Sequence, residues 1–127
     1  MREILFRGKR VDNDEWIEGC FLQEERPIQN AFFILNSKGN FRVHNTTVGQ
    51  LLPAYKLYEG DIIIINSEDS YDNGNAYWED GLKNVKATIE FKHDVWLAKT
   101  DCKEIIPLFD FDYYGMEFKI IGNIYDK

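Results

Sequence analysis

Four consecutive isoleucines, Ile62 to Ile65, follow directly on the turn-forming pair Gly60-Asp61. β-Branched side chains favour strands, and a strand that is apolar at every position is typical of one that is covered on both faces. Full burial of one isoleucine contributes on the order of 1.5–3 kcal/mol before opposing terms are counted. The run therefore predicts the central strand of a β-sheet core. Aspartate at Ile63 or Ile64 is expected to abolish folding.

The rest of the chain consists mostly of short β-branched or aromatic segments separated by Gly, Asn and Asp, which is the pattern of strands and turns. The clearest two-residue period runs through residues 85–92, where apolar and polar side chains alternate. The predicted strands are 2–7 and 15–23 as a first hairpin, 31–36 and 41–44 as a second, 85–92 joined through 93–94 to 95–99, and 118–125 at the end.

Two other segments are predicted to lie outside strands. A cap at Thr46 or Thr47 followed by Pro53 favours a short helical turn over residues 46–52. Residues 66–81 are acidic and rich in Asn and Gly, which predicts a long mobile loop, interrupted by a small hairpin at Asp72-Asn73-Gly74.

The fold class expected from these elements is all-β, with at most short helices, arranged as small barrel-like or sandwich sheets. A chain of 127 residues fits one domain, which two β lobes of about residues 1–52 and 53–127 could build. No stretch approaches the roughly 20 apolar residues that cross a bilayer. The N-terminus MREILFRGKR is not that of a secretory signal peptide.

Charge and cysteine content limit the partners and the cellular compartment that the sequence predicts. With 22 acidic and 15 basic side chains the formal net charge is −7, which disfavours nucleic-acid binding through phosphate contacts. Cys20 and Cys102 lie in apolar sequence without metal-ligand spacing, which favours buried, reduced thiols. Together these features predict a cytoplasmic protein that does not associate with membranes.

A basic N-terminus is the exception to the acidic balance, and two interpretations of it stay open. One is an exposed edge strand whose cations discourage aggregation. The other is a small β-barrel that binds nucleic acid, with bases stacking on tryptophans. The residues concerned are Arg2, Arg7, Lys9 and Arg10 for the cations, and Trp16, Trp78 and Trp96 for stacking.

No motif predicts a catalytic residue, a cofactor or a metal site. An EF-hand loop beginning at Asp69 fails because its third position is Tyr71 and its twelfth is Asp80. His44 and His93 lie far apart in sequence and in no zinc-binding motif, so they are interpreted as surface or turn residues. Carboxylates are so numerous that a catalytic pair could arise in any fold, which leaves a small hydrolase as the weakest hypothesis.

Aromatic and acidic side chains alternate near the C-terminus, in the stretch PLFDFDYYGMEF. One interpretation is packing at the edge of a sheet. The alternative is an acidic–aromatic patch that docks a protein partner, because aromatic side chains supply binding hot spots. The residues are Phe109, Asp110, Phe111, Asp112, Tyr113 and Tyr114.

Several stretches, taken in order, resemble the YopX family of small phage and prophage proteins. They are REILFRGKR (2–10), Trp16 with Gly19, TVGQ (47–50), YEGDI (58–62) and IGNIY (121–125). The resemblance spans nearly the whole chain. It implies a mainly β fold, a bacterial host cytoplasm and assembly into a homo-oligomer, and it carries no catalytic residue. The leading hypothesis is therefore a self-assembling phage accessory protein that binds a host or phage protein.

Overall fold

The computed structural model describes residues 5–27, 29–72, 74 and 77–126. The chain divides into two compact units, Met1–Tyr58 and Glu59–Lys127. Antiparallel strands dominate both units, and helix is limited in the described residues to one 3-10 turn and one α-helix of five residues. This confirms the predicted all-β class with at most short helices.

The first unit contains one six-stranded sheet with the strand order β4-β3-β2-β1-β5-β6. Both predicted hairpins are present, β1 with β2 and β3 with β4. In the second hairpin Asn36 pairs with Gly39, so the turn is tighter than the predicted 37–40. The strands are β1 (Phe6–Lys9), β2 (Trp16–Glu24), β3 (Ala31–Asn36), β4 (Gly39–Arg42), β5 (Gly49–Leu52) and β6 (Leu57–Tyr58).

The helical turn expected over residues 46–52 is shorter than predicted. A 3-10 helix covers Asn45–Thr47, and residues 49–52 form β5 because they pair with β1 on one side and β6 on the other. The Thr47 hydroxyl does not cap a helix. It donates to the His44 carbonyl oxygen at 2.7 Å and accepts from the Lys9 amide at 2.8 Å, which fixes the turn against β1.

The second unit contains a five-stranded sheet with the order β12-β11-β10-β7-β13 and a separate two-stranded hairpin of β8 and β9. Neither this sheet nor the six-stranded one closes into a barrel over the described residues. The small hairpin predicted near residue 74 is confirmed. The elements are β7 (Asp61–Asn66), β8 (Tyr71–Asp72), β9 (Tyr77–Trp78), β10 (Val85–Lys92), β11 (Val95–Thr100), β12 (Ile105–Pro107), α1 (Phe109–Tyr113) and β13 (Glu117–Asn123).

The isoleucine run is the central strand β7, paired with β10 and β13, as predicted. Ile63 and Ile65 are fully buried, but Ile62 and Ile64 are only half-buried, so the expected complete cover on both faces is wrong. On the second face the cross-strand neighbours are polar, with Lys86 and Lys119 opposite Ile64. Aliphatic stems of such lysines cover apolar surface only in part.

Among the described residues, no helix is long and apolar enough to cross a membrane.

Candidate functional site

The excess of acidic over basic residues lies entirely in the second unit. Residues 1–58 contain eight Lys or Arg and seven Asp or Glu, giving a formal net charge of +1. Residues 59–127 contain seven Lys and fifteen Asp or Glu, giving −8. A cationic partner is therefore attracted to the second unit rather than to the chain as a whole.

A cleft of about 360 Å³ opens on this acidic unit. One wall is the segment 66–69 that follows β7, and another is the segment 114–117 that leads into β13. Glu68, Asp69 and Glu117 supply three exposed carboxylates, against one ammonium from Lys83. We call this site the acidic cleft.

Hydrogen bonds from Ser67 fix the first wall of the acidic cleft. Its amide donates to the Leu82 carbonyl oxygen at 2.9 Å, and its hydroxyl accepts from the Leu82 amide at 3.0 Å and donates to the Asp69 carbonyl oxygen at 3.2 Å. Lys83 Nζ donates to the Ser67 carbonyl oxygen at 3.2 Å. The wall is therefore held by one backbone hydrogen bond and three that involve side chains, and the Ser67 hydroxyl both donates and accepts within the protein.

Gly81 allows the chain to close against this wall. Its φ of +81° is a backbone conformation that side-chain-bearing residues rarely adopt. A Cβ at this position would lie 2.8 Å from the Asp69 carbonyl oxygen and closer still to that of Ser67. Glycine is thus required for the approach of residues 81–84 to residues 66–69.

Four aromatic rings contact one another in series, and one of them, Tyr114, lines the acidic cleft; we call the four rings the aromatic ladder. Trp78 stacks on Tyr71 with ring centroids 5.8 Å apart, Tyr71 meets Tyr114 edge-on at 4.7 Å, and Tyr114 meets Tyr113 edge-on at 4.9 Å. Tyr71 is fully buried, whereas Tyr113 is 83% exposed. Tyr114 belongs to both the ladder and the cleft wall.

In helix α1 one aromatic side chain of the aromatic–acidic stretch is buried and two are exposed. Phe111 is 1% exposed and packs against Phe118 with ring centroids 5.9 Å apart, which confirms core packing for that residue. Phe109 and Tyr113 are 70% and 83% exposed, as the docking-patch interpretation requires. Residues four apart share a helix face, so one helical turn presents both rings outward.

The end of α1 is set by Gly115, whose φ is +62°. The Gly115 amide donates to the Asp112 carbonyl oxygen at 3.4 Å, and the Met116 amide donates to the Phe111 carbonyl oxygen at 2.8 Å. This left-handed residue reverses the chain into β13, which is the usual role of glycine after a helix. Tyr114 and Gly115, at the end of the helix, both line the acidic cleft.

The two histidines lie at turns, as predicted. His44 Nε2 is 3.1 Å from Asp14 Oδ1 on the first unit. His93 occupies the β10–β11 turn with a φ of +51°. Neither lines the acidic cleft, so this site combines carboxylates with one tyrosine and lacks an imidazole among its described lining residues.

The prediction of buried cysteines is wrong. Cys20 and Cys102 are both exposed, and both are free thiols. Cys20 lies in β2 and is the cross-strand partner of Leu35 in β3. Cys102 lies in the turn between β11 and β12.

The basic residues Arg7 and Lys9 lie in strand β1 of the first sheet, and Arg10 follows them. Arg7 and Arg10 contact side chains of the same unit and do not form one continuous exposed cationic surface. The Arg7 guanidinium lies between the rings of Trp16 and Tyr58, at 4.4 and 4.5 Å from their centroids. Arg10 forms a two-pronged ion pair with Asp12, with N–O distances of 2.9 and 2.6 Å. Arg2 lies outside the described residues.

The tryptophans proposed for base stacking do not form one platform. Trp16 contacts Arg7 and Lys9 on the first unit, while Trp78 packs on Tyr71 and Trp96 packs on Phe91 in the second. Each indole therefore has an intramolecular partner on its own element or a neighbouring one.

The acidic segment, residues 66–81, includes the stretch from Asp69 that partly matches an EF-hand loop in sequence. Within the part of the chain that the structure describes, no group of three or more His, Cys, Asp or Glu side chains is arranged to hold a metal ion. Tyr71, at the third position of the EF-hand comparison, is buried, and Asn73 at the fifth lies outside the described residues. The carboxylates of the acidic cleft are thus spread along its walls.

No protein-family model, no curated protein and no solved structure matches this chain. The acidic cleft and the aromatic ladder are therefore the features of the molecule that indicate a function. Carboxylates bind ammonium and guanidinium groups, and tyrosine faces attract the same cations. The combination is suited to lysine or arginine side chains.

Proposed function

We propose that this protein is a non-enzymatic binding module that docks a basic segment of a partner protein at its acidic cleft. The observation that carries this proposal is the meeting, at Tyr114, of a cleft lined by three carboxylates with a ladder of aromatic rings. Exposed Phe109 and Tyr113 extend the apolar contact area beside the charges. Aromatic anchors surrounded by complementary charge are typical of protein-docking surfaces.

A phage or prophage accessory role is part of the same proposal, and it is supported by the YopX-like stretches. In the first unit, FRGK forms β1, where Arg7 pairs with Gly49 of TVGQ and the Lys9 amide donates to Thr47. In the second, the Ile124 amide of IGNIY donates to the Gly60 carbonyl oxygen of YEGDI at 2.9 Å. These motifs pair with one another as parts of the scaffold, which fits a family resemblance without shared catalytic residues.

Self-assembly is proposed to use strand β13, which forms one edge of the five-stranded sheet. Ile120 and Ile121 in this strand, and Ile124 directly after it, are each about half exposed. Edge strands with exposed apolar side chains are ready sites for pairing between chains. Light scattering at micromolar concentration is expected to show an oligomer that Ile121→Lys weakens, and a wild-type protein that is monomeric throughout would remove this part of the proposal.

Binding at the acidic cleft is testable with a labelled peptide of alternating arginine and glycine. Fluorescence anisotropy is expected to show binding that weakens with salt and that the double variant Glu68→Gln/Asp69→Asn reduces. The matched control is Asp94→Asn/Asp101→Asn, which removes two exposed charges from the same unit without touching the cleft. Equal losses in the two double variants would show that only net charge matters and would refute a docking site.

The nucleic-acid and hydrolase hypotheses have weaker support. Base stacking would require tryptophans that instead pack against their own neighbours. A hydrolase could use Glu68, Asp69 or Glu117, but the Ser67 hydroxyl in the same cleft is engaged with Leu82 and Asp69. An exposed carboxylate set beside tyrosines is better matched to binding a cation than to activating a nucleophile.

A further inference from the structure

We propose that the partner segment docked at the acidic cleft carries both charges, with a basic stretch for the cleft and an acidic, aliphatic stretch for a lysine-bearing face of the same sheet. We call this second area the lysine face, and its residues are Ile62, Ile64, Lys86, Thr88, Lys99 and Lys119. The inference rests on the proposed function, because it adds a second half to the same docking site.

Strand register places the three lysines on one side of the five-stranded sheet. Lys86 and Lys119 are the cross-strand partners of Ile64, one on each side of it. Lys99 is paired with Thr88, which lies two positions from Lys86 in β10. Directly paired residues share a face, as do residues two apart in a strand. The lysines therefore project from one face, around the half-buried isoleucines of β7.

The lysine face is a cationic area on an acidic unit. Lys86 and Lys119 are exposed and Lys99 is half-buried. None of the three forms an ion pair with the described residues of the chain, whereas Lys92 lies 3.5 Å from Glu90. The three ammonium groups are therefore complementary to carboxylates of a partner.

The lysine face continues directly into the acidic cleft. Asn66 and Glu117 are cross-strand partners, and both line the cleft. Two residues further into the same strands, Ile64 and Lys119 are partners on the lysine face. This step is about 7 Å along a strand, and an extended peptide covers about 3.4 Å per residue. A partner segment of about eight residues is therefore long enough to contact both areas.

The composition of the lysine face favours a carboxylate-bearing peptide over a nucleic acid. Phe91, Trp96 and Phe118 are the aromatic residues of the same strands, and the alternation of each strand puts them on the opposite face. Among the described residues of the lysine face there is therefore no ring on which a base stacks. Half-buried Ile62 and Ile64 offer contact to aliphatic side chains instead. The matching stretch alternates acidic with aliphatic residues.

The test uses labelled eight-residue peptides in fluorescence anisotropy at about 0.1 M salt, where charges more than about 10 Å apart are largely screened. The block peptide has two arginine–glycine pairs next to two glutamate–leucine pairs, in either block order. One control peptide alternates the same pairs, and a second replaces glutamate with glutamine. One block order is expected to bind about fivefold more tightly than both controls, although the glutamine peptide has the more favourable net charge.

A lysine variant locates the second half of the site. Lys86→Gln/Lys119→Gln is expected to weaken the block peptide about fivefold, as loss of two exposed ion pairs does, without weakening an arginine–glycine peptide. The matched control is Lys38→Gln/Lys56→Gln, which removes two exposed lysines of the first unit and is expected to leave the block peptide unchanged. Circular dichroism of each variant reports whether it is folded.

The outcomes separate this inference from the proposed function. If the arginine–glycine peptide does not bind, both are refuted. If it binds, but the block peptide binds no better than its controls or responds equally to the two lysine variants, the lysine face has no role and only this inference fails.

Two further results would assign the lysine face to another occupant and would overturn the inference. The first is an oligonucleotide that binds more tightly than the block peptide and is weakened by Lys86→Gln/Lys119→Gln. The second is self-association of the protein without peptide that the same variant abolishes, since that would place a second copy of the chain on this face.

Discussion

The hydroxyl of Tyr71 donates a hydrogen bond to the Asp110 carboxylate at 2.5 Å, although the two residues are 39 positions apart in the chain. This bond joins the small β8–β9 hairpin to helix α1. Tyr71 is also the second ring of the aromatic ladder and contacts Tyr114 at the cleft. Residues 71–72, in the acidic segment, therefore help to position Tyr114. The binding surface therefore depends on contacts between segments that are remote in sequence.

Tyr71→Phe is expected to lower the free energy of unfolding by about 1.5–3 kcal/mol, the usual loss for a hydrogen bond to a charged partner. The ring and its packing are kept, so the loss reports on the hydroxyl alone. Tyr113→Phe is the control, because Tyr113 is 83% exposed, and its effect is expected to stay within about 0.5 kcal/mol. Urea denaturation followed by circular dichroism measures both, and equal effects would contradict a structural role for the Tyr71–Asp110 bond.

Gly81→Ala is expected to destabilise the second unit by about 3 kcal/mol or more, since it combines a steric clash with a strained φ. Gly74→Ala separates the two causes. Gly74 has a φ of +89°, but no atom of the described residues beyond its chain neighbours lies within 4 Å of the added Cβ, so this variant carries the conformational strain alone. Thermal unfolding of both variants gives the comparison, and similar melting temperatures would show that the approach of residue 81 to Ser67 is not tight.

Ile63→Asp is expected to prevent folding of the second unit, because an unpaired carboxylate would replace a fully buried side chain in the central strand. Ile105→Asp, at an edge strand where the side chain is 49% exposed, is expected to remain folded. Amide hydrogen exchange across residues 61–66 measures the difference. Protected amides at these positions in Ile63→Asp would contradict the assignment of β7 as the core strand.

The pKa of Asp12 is expected to lie below its ordinary value, mainly because its carboxylate accepts hydrogen bonds from Arg10. A lowered folded-state pKa means that the pair contributes stability above the unfolded-state pKa, and that this contribution is lost as the pH falls through the folded-state pKa. Carboxyl NMR titration of wild type and Arg10→Gln tests the cause. The Asp12 pKa should rise in the variant, and an unchanged value would assign the shift to other groups.

Much of the fold could be predicted from the sequence because its signals are local. The alternation through residues 85–92 and the turn residues His93 and Asp94 suffice to place the β10–β11 hairpin. The isoleucine run identifies β7 as a central strand. The run does not show that Ile62 and Ile64 are only half-buried. That depends on the register of the neighbouring strands, which places Lys86 and Lys119 opposite Ile64.

The site was less accessible to sequence analysis. The stretch 109–114 alternates as a strand would, yet five residues form a helix, because Phe111 packs on Phe118 and Gly115 reverses the chain. The acidic cleft depends on the Ser67–Leu82 hydrogen bonds and on the close approach at Gly81, which no local period encodes. The sequence signals for this site are the aromatic–acidic alternation, which includes Tyr114, and the acidic composition of residues 66–81, which include Glu68 and Asp69. Neither signal indicates that the two segments meet, and neither identifies Glu117.

The most direct test of the proposed docking site is chemical-shift mapping of the arginine–glycine peptide on isotope-labelled protein. Shift changes are expected to be concentrated at residues 66–69, 83 and 113–117, and the size of these changes is expected to fall as salt is added. Shifts concentrated on the first unit, or none at any peptide concentration, would contradict the assignment of the acidic cleft as the binding site.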